Sequence, residues 1–230
     1  CAPHLQRTQA ADQAARALLS GKNLREATDQ YAPSWSSWGG ILPGGSIGAV
    51  ILKENLRNNC ANIKEHQFYG LYNNGQSAAL ITMMNKTPEL GSQAKEGEAL
   101  LIASNIARSK GAQCGNEYFK PAGPLSWHPG LATVATAYAQ HQAQYNFTGH
   151  NDKFTGAGPG DRLKAINYIG AYGENLAYGT RSAQATVQAW IESPGHCKNL
   201  MNPKMRFMGS GYALNSQSNF GVYWGQLLGY

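Results

Sequence analysis

Two histidines sit in short, glycine-bearing signatures whose residue types could do chemistry: His150 in Phe147-Thr148-Gly149-His150-Asn151, and His196 in Ser193-Pro194-Gly195-His196-Cys197-Lys198-Asn199. Between them lies Tyr172-Gly173-Glu174-Asn175-Leu176-Ala177. Two imidazoles and a carboxylate held among glycines make a metal or acid/base site if the fold converges them. Neutral histidines bind zinc through one ring nitrogen, and two of them leave positions open for water, the arrangement of a catalytic rather than a structural ion. Glu174 would then hydrogen-bond that water or act as a base. Against this, two protein ligands hold a metal more weakly than three, and no His-Glu-x-x-His motif supplies the usual protease geometry. A Ser193/His196/Glu192 triad would crowd three roles into five positions around a Pro-Gly turn, where the side chains do not point together. The competing structural reading of His150, Glu174 and His196 is a buried polar network that holds the domain together. His141 reads as a core-edge or solvent histidine, and His128, beside Pro129, belongs to a helix entry.

The elements that must position these residues follow from periodicity. Apolar residues at helical spacing predict a helix over Gln9 to Leu19, stopped by Gly21. Tyr31 to Gly48 is rich in Ser, Trp, Gly and Pro and reads as loop. The stretch from Ala49 to Met84 predicts a helix and then a hairpin around Asn73-Asn74-Gly75. Turn residues and charges gather from Pro88 to Gly97, which places a joint there and gives an N-terminal extension over 1–92 and a main domain over 93–230. In the main domain the spacing predicts a helix over Glu98 to Lys110 and another from Leu131 to near Tyr145, which delivers His150 from the loop that follows. A short helix capped by Asp161 runs through Ile166, and a further helix spans Ser182 to Ile191 and is ended by Pro194-Gly195. Alternation in Phe207 to Leu214 and Phe220 to Leu228 predicts an antiparallel pair. Helices on a short antiparallel sheet make an α+β layered domain.

The chain has 230 residues, 42% hydrophobic and 14% charged, enough for one large or two small cores. No apolar run approaches the roughly 18 residues of a membrane-spanning helix, the longest being Ile47 to Leu52. The net charge of +6 is scattered, and no basic motif is interleaved with aromatics, so nucleic acid is not an expected partner. Four cysteines fit an oxidised secreted chain or a reduced one with buried thiols, and their spacing excludes paired Cys-x-x-Cys zinc sites. An initial cysteine is what remains when a lipoprotein signal is cut and the thiol takes a lipid, which would anchor the protein to a membrane. A Cys1–Cys60 disulfide or a chain boundary are the alternatives.

From Cys114 to Gly229 the chain resembles the CAP domain, also called the SCP or pathogenesis-related-1 domain, in its bacterial form. The resemblance rests on the helix Glu98 to Lys110 and six further motifs in the family's order: Leu125 to Leu131, Gly149-His150-Asn151, Gly160-Asp161-Arg162-Leu163, Gly173 to Ala177, Ser193 to His196, and Tyr223-Trp224-Gly225-Gln226. It implies an α-β-α sandwich with a small N-terminal α+β extension, and a central cleft with two histidines and two acidic residues, often with a divalent metal such as zinc. His150 and His196 map onto the metal positions and Glu174 onto one carboxylate. Glu192 maps onto the second less directly, because the long insertion that separates the two positions in animal members is absent here and Pro194 intervenes. A cysteine after the last histidine pairs in bacterial relatives with one after the first domain helix, which implies a Cys114–Cys197 disulfide.

Three function classes follow. The first is a secreted or lipid-anchored binding module for an extracytoplasmic ligand: a lipid, a peptide or a cell-wall fragment. The second is a metal-assisted hydrolase using Glu174 and Glu192, and the third a protein-interaction scaffold. A CAP fold implies a cleft more directly than a reaction, so binding leads. Periplasm, outer-membrane surface or extracellular space are the compartments consistent with the disulfide. Finally, Cys60-Ala61-Asn62-Ile63 followed by Tyr69-Gly70-Leu71-Tyr72 echoes Cys197-Lys198-Asn199-Leu200 followed by Met208-Gly209-Ser210-Gly211-Tyr212. Residues 1–92 therefore read as a degenerate partial repeat or as a chance likeness of turn-rich hairpins, with Asn59 where the site has His196.

Overall fold

The computed structural model describes residues 5–32, 35–45, 48–53 and 66–230. The chain divides into two compact units, Cys1–Lys86 and Thr87–Tyr230. Cys1 and the segment Cys60 to Ile63 lie outside the described residues, and with them the Cys1–Cys60 alternative and half of the repeat signature.

In the N-terminal unit, β1 (Gln6–Arg7) leads into helix α1 (Gln9–Leu19), whose N-cap Thr8 accepts the Ala11 N–H. Helix α2 (Leu24–Tyr31) begins with an Asn23/Glu26 capping box. Three strands follow: β2 (Trp35–Pro43), β3 (Phe68–Asn73) and β4 (Ser77–Asn85). The hairpin at Asn73-Asn74-Gly75 forms where its turn residues place it, with Asn74 Oδ1 accepting from Gln76 and Ser77 and Gly75 at φ +90°. Where Ser and Gly content predicts loop, the chain instead forms β2, because it pairs with β4 along its whole length, from Trp35↔Asn85 to Pro43↔Ser77. Such non-local pairing overrides weak strand propensity.

The C-terminal unit opens with helix α3 (Gln93–Lys110), a small hairpin β5 (Ala112–Cys114) and β6 (Glu117–Phe119), and strand β7 (Ser126–Trp127). Helix α4 (Pro129–Tyr145), short helix α5 (Pro159–Lys164) and strand β8 (Tyr172–Tyr178) come next. Helices α6 (Ala183–Glu192) and α7 (Pro194–Met201) and the strands β9 (Phe207–Asn215) and β10 (Gly221–Gly229) complete it. The four-stranded sheet runs in the order β7-β9-β10-β8.

The alternation of β10 builds the sandwich. Val222, Trp224 and Leu228 face Leu100 of α3, Val187 and Trp190 of α6 and Leu200 of α7. Tyr223 and Leu227 face the other way, against α4 and α5. The result is three layers, α-β-α, with a core on each face of the sheet. Helix α4 lies close on β9 because Gly209 and Gly211 have no Cβ; one at Gly209 would run into the backbone of Leu131 and Ala132.

Two local expectations change. Asp161 sits one turn inside α5 and accepts the Gly158 N–H, while Gly158 is the N-cap. Pro194 does not lead into a loop: it is the first residue of α7, which suits its missing N–H, so His196 projects from a helix.

The two units share a frame. The first sheet runs β1-β3-β4-β2, the same arrangement as β7-β9-β10-β8. In both, a two-residue strand pairs in parallel with the hairpin (Gln6↔Phe68, Arg7↔Tyr69; Ser126↔Phe207, Trp127↔Met208) and leads directly into a helix. In both, that helix presses its backbone onto a glycine: Ala11 on Gly70 and Ala132 on Gly209.

Candidate functional site

Strand β8 is an edge of its sheet and carries Glu174 and Asn175 on opposite faces. His150 arrives from the loop after α4. That loop is fixed at Gly149, whose carbonyl accepts from Tyr138 Oη (2.8 Å) and Gln142 Nε2 (2.9 Å) and whose N–H donates to Tyr178 Oη (3.0 Å). Gly149 holds φ +107°, which a side chain would strain. His196 arrives on α7 from the other face: Asn175 Nδ2 donates to its carbonyl, and Asn199 Nδ2 donates to the Glu174 carbonyl and to Asn175 Oδ1. The buried Cys114–Cys197 disulfide, Cα–Cα 5.4 Å, ties the residue after His196 to β5.

The structure brings His150, Glu174 and His196 together. The two imidazole centroids are 6.4 Å apart. Glu174, whose side chain is only 3% exposed, takes His150 Nδ1 on Oε1 at 2.8 Å and Arg162 Nη2 on Oε2 at 2.6 Å. Arg162 also donates to the carbonyls of His150 and Ala157 and lies 3.5 Å above the Tyr138 ring. A carboxylate only accepts, so Nδ1 of His150 carries a proton and Nε2 is the nitrogen left to face outward.

The two imidazoles titrate apart. The hydrogen bond to Glu174 raises the His150 pKa above its ordinary 6.5, against the opposing effect of burial. Burial, and then the charge on His150, lowers that of His196. The two midpoints are thus pushed apart, so that as pH falls His150 takes up its proton before His196.

Glu192 forms no hydrogen bond or ion pair with His150, Glu174 or His196. It is exposed at the last position of α6 and accepts from Gln188 Nε2 one turn earlier (2.8 Å). His141 pairs with Asp152 at 2.6 Å, and both line a groove that Tyr138 and Arg162 also border, while His128 caps α4 by accepting the Leu131 N–H. Arg162 is the residue that sequence reasoning passed over. It stood in the quoted Gly160-Asp161-Arg162-Leu163 motif, but nothing in a linear pattern says that its cation faces Glu174.

A metal can be tested against this donor set. Two imidazole nitrogens on one tetrahedral ion put their ring centroids about 5 Å apart, so the rings would have to approach by roughly 1 Å. Both side chains are partly exposed, one on a loop and one near a helix start, so the approach needs no core rearrangement. Among the described residues no group of three or more His, Cys, Asp or Glu is placed to hold a metal ion. The residues thus fit a labile site with two nitrogen donors, and not a closed structural one.

Residues 120–228 match the family model of CAP, the Cysteine-rich secretory protein family. Residues 120–228 are a CAP domain. The uncharacterized protein YkwD of Bacillus subtilis (strain 168) is 36% identical over 91 residues, 39% of this chain and 35% of that protein. The uncharacterized membrane protein YlbC of the same organism is 33% identical over 89 residues, 38% of this chain and 25% of that protein. The match thus spans about a third or less of the length of these curated relatives. Among solved structures, the crystal structure of Na-ASP-1 aligns with 98% of this chain and 80% of its own at 11% identity and a TM-score of 0.52, a likeness of fold alone. An extracellular protein containing a SCP domain from Bacillus anthracis str. Ames aligns with 70% of this chain and 55% of its own at 21% identity and a TM-score of 0.48.

Proposed function

We propose that the CAP unit is an extracytoplasmic binding module whose His150/His196 pair receives the polar end of an amphiphilic ligand, with or without a divalent metal such as zinc. One observation carries this reading over hydrolysis: Glu174, its side chain 3% exposed, accepts from His150 on one oxygen and from Arg162 on the other, and Glu192 accepts from Gln188 instead of joining them. A general base must reach the reacting proton, and a buried carboxylate engaged by a ring and a guanidinium is placed to orient that ring. When bound, a divalent ion would supply a Lewis-acidic contact for an oxygen of the ligand, held by His150 and His196. The apolar part of the ligand has a place next door. A groove of about 540 Å³ between α4 and α5 is lined by Val134, Ala137, Phe154 and Ile166 and shares Tyr138 and Arg162 with the His150 cluster. The larger groove, about 670 Å³, shares no residue with it.

The disulfide supports an oxidising compartment, and membrane attachment through a lipidated Cys1 is part of the same proposal. The N-terminal unit is, on this reading, a second CAP-like copy without the site. Zinc calorimetry on metal-stripped protein, beside a His150→Ala/His196→Ala double variant, tests the pair: one ion per chain, lost in the variant, is expected. Displacement of a fluorescent fatty acid by lipids, abolished in Ala137→Trp, tests the groove. Hydrolysis of a peptide or ester that disappears in Glu174→Ala with the fold retained would replace the proposal by the enzyme reading. A partner protein captured equally by the double variant would replace it by the scaffold reading.

A further inference from the structure

The far end of the CAP sheet carries an apolar and aromatic patch that the binding reading does not use. Tyr172, Gly229, Phe207 and Ser126 stand opposite one another across β8, β10, β9 and β7, so they form a single row at the sheet's end. Gly229 leaves a gap in that row, and the Tyr168 ring fills it, since a Cβ there would strike the Tyr168 hydroxyl. His128 meets both Tyr168 and Phe207 edge-on, at 5.6 and 5.9 Å. Ile166 and the same histidine both border Gly130.

The loop that crosses this row is built to hold its shape. Helix α5 ends in a Schellman motif: Tyr168 N–H donates to Leu163 O, Asn167 N–H donates to Lys164 O, and Asn167 takes the left-handed conformation at φ +55°. Tyr168 then packs with Leu163 and Leu131. With Tyr168 anchored and the Ala171 carbonyl accepting the Tyr230 N–H, Ile169 is left between them, 98% exposed. A fully exposed isoleucine flanked by exposed Ile166, Tyr172 and Phe207 is an apolar surface without a partner among the described residues.

The surrounding charge selects the partner. Exposed Lys204 and Arg206 precede Phe207, and exposed Lys164 ends α5, where it pairs with Asp161 at 3.5 Å. From Asp161 to Tyr230 the acidic residues are Asp161, held by that pair, Glu174, which is buried, and Glu192, at the end of α6. Aliphatic tip, aromatic girdle and basic flank together are the signature of a surface that settles at the boundary between headgroups and acyl chains. We infer that the row Tyr172–Tyr168–Phe207 with Ile169 at its tip is a membrane-docking face, which inserts Ile169 into an anionic lipid surface.

Sedimentation of the full chain with phosphatidylcholine vesicles, with and without phosphatidylglycerol, tests this; Cys1→Ser removes any contribution from an acyl chain. Binding to the anionic vesicles is expected, weakened by salt, and reduced about tenfold or more in Ile169→Ser, because one buried isoleucine is worth at least that factor. Ile169 makes no core contact, so the variant should melt with the parent protein. The inference is overturned if the parent sediments with neither vesicle, or if Ile169→Ser binds as the parent does. It is equally overturned if the patch instead supports a dimer in solution that Ile169→Ser dissolves. His150→Ala/His196→Ala should bind vesicles unchanged, which separates failure here from failure of the ligand-binding reading.

Discussion

Glu174→Gln keeps the side chain's shape and removes the one charge on which Arg162 and His150 both depend. Arg162 is 15% exposed and its Nη2 lies 2.6 Å from Glu174, so the substitution leaves a guanidinium with no anion in a largely buried place. Breaking a buried pair from one side costs about 3–5 kcal/mol. The lower end applies here, because Arg162 keeps the carbonyls of His150 and Ala157 and the Tyr138 ring. For a domain of this size about 3 kcal/mol lowers Tm by roughly 10 °C. The same change puts a neutral amide oxygen in place of the carboxylate whose hydrogen bond and charge raise the His150 pKa, so its titration midpoint must fall. Thermal unfolding by circular dichroism and proton NMR of the His150 ring measure the two effects independently. Adding Arg162→Met should restore part of the stability, since it removes the stranded cation. A loss under about 1 kcal/mol together with an unmoved His150 midpoint would refute the reasoning, because it would mean that the pair is exchanged for water at no cost.

Other consequences follow from the same contacts. Zinc must displace the extra proton of His150, so its affinity should weaken about tenfold per pH unit below the His150 midpoint, which lies above 6.5, with close to one proton released per ion; calorimetry in two buffers of different ionisation enthalpy reads both. As for stability, His150 contributes most below pH 6.5 and its share is lost as pH rises through its folded midpoint, whereas the share of His196 is present above 6.5 and lost as pH falls; pH profiles of Tm for His150→Gln and His196→Gln should therefore deviate from the parent in opposite directions. Removing Cys114–Cys197 opens a closure between residues 83 positions apart, for which chain entropy predicts a loss of about 4–5 kcal/mol on chemical denaturation. Arg108, fully buried, donates to the carbonyls of Gly123, Leu200, Asn202 and Met205, and Arg108→Met should cost about 3–5 kcal/mol in the same assay, with Lys no substitute because it lacks the planar fork.

The parts of this protein that were legible in the sequence are those encoded locally. Helix α1 follows from its alanine spacing and the stop at Gly21, the β3–β4 hairpin from Asn-Asn-Gly, and β9 and β10 from their alternation. Strand β2 was hidden because Trp35–Pro43 owes its conformation to β4, which lies some forty positions away. The start of α7 was hidden because Pro-Gly reads as a break from its N-terminal side and as a helix opening from its C-terminal side. Within the site, His150, Glu174 and His196 stood in recognisable motifs, while Arg162 and the Tyr138/Gln142/Tyr178 clamp on Gly149 carry their meaning only in three dimensions.

The shared frame of the two units explains why one has the His–Glu cluster and the other, among its described residues, has none at the matching edge. In the CAP unit Leu227 of the central strand pairs on one side with Gly209, where the helix presses down, and on the other with Glu174. In the N-terminal unit the corresponding residue is Ile81, which pairs with Gly70 under α1 and with Gly39 on the edge strand. Gly39 therefore occupies the place of Glu174. No side chain fits there, because a Cβ on Gly39 would strike the Leu80 carbonyl and the Ile81 side chain. Without the carboxylate nothing would orient an imidazole at that edge, and no cation like Arg162 would have a counter-charge to face. The fold by itself thus supplies the sheet, the crossing helix and the glycine beneath it. The chemistry depends on whether the edge strand leaves room for one acidic side chain.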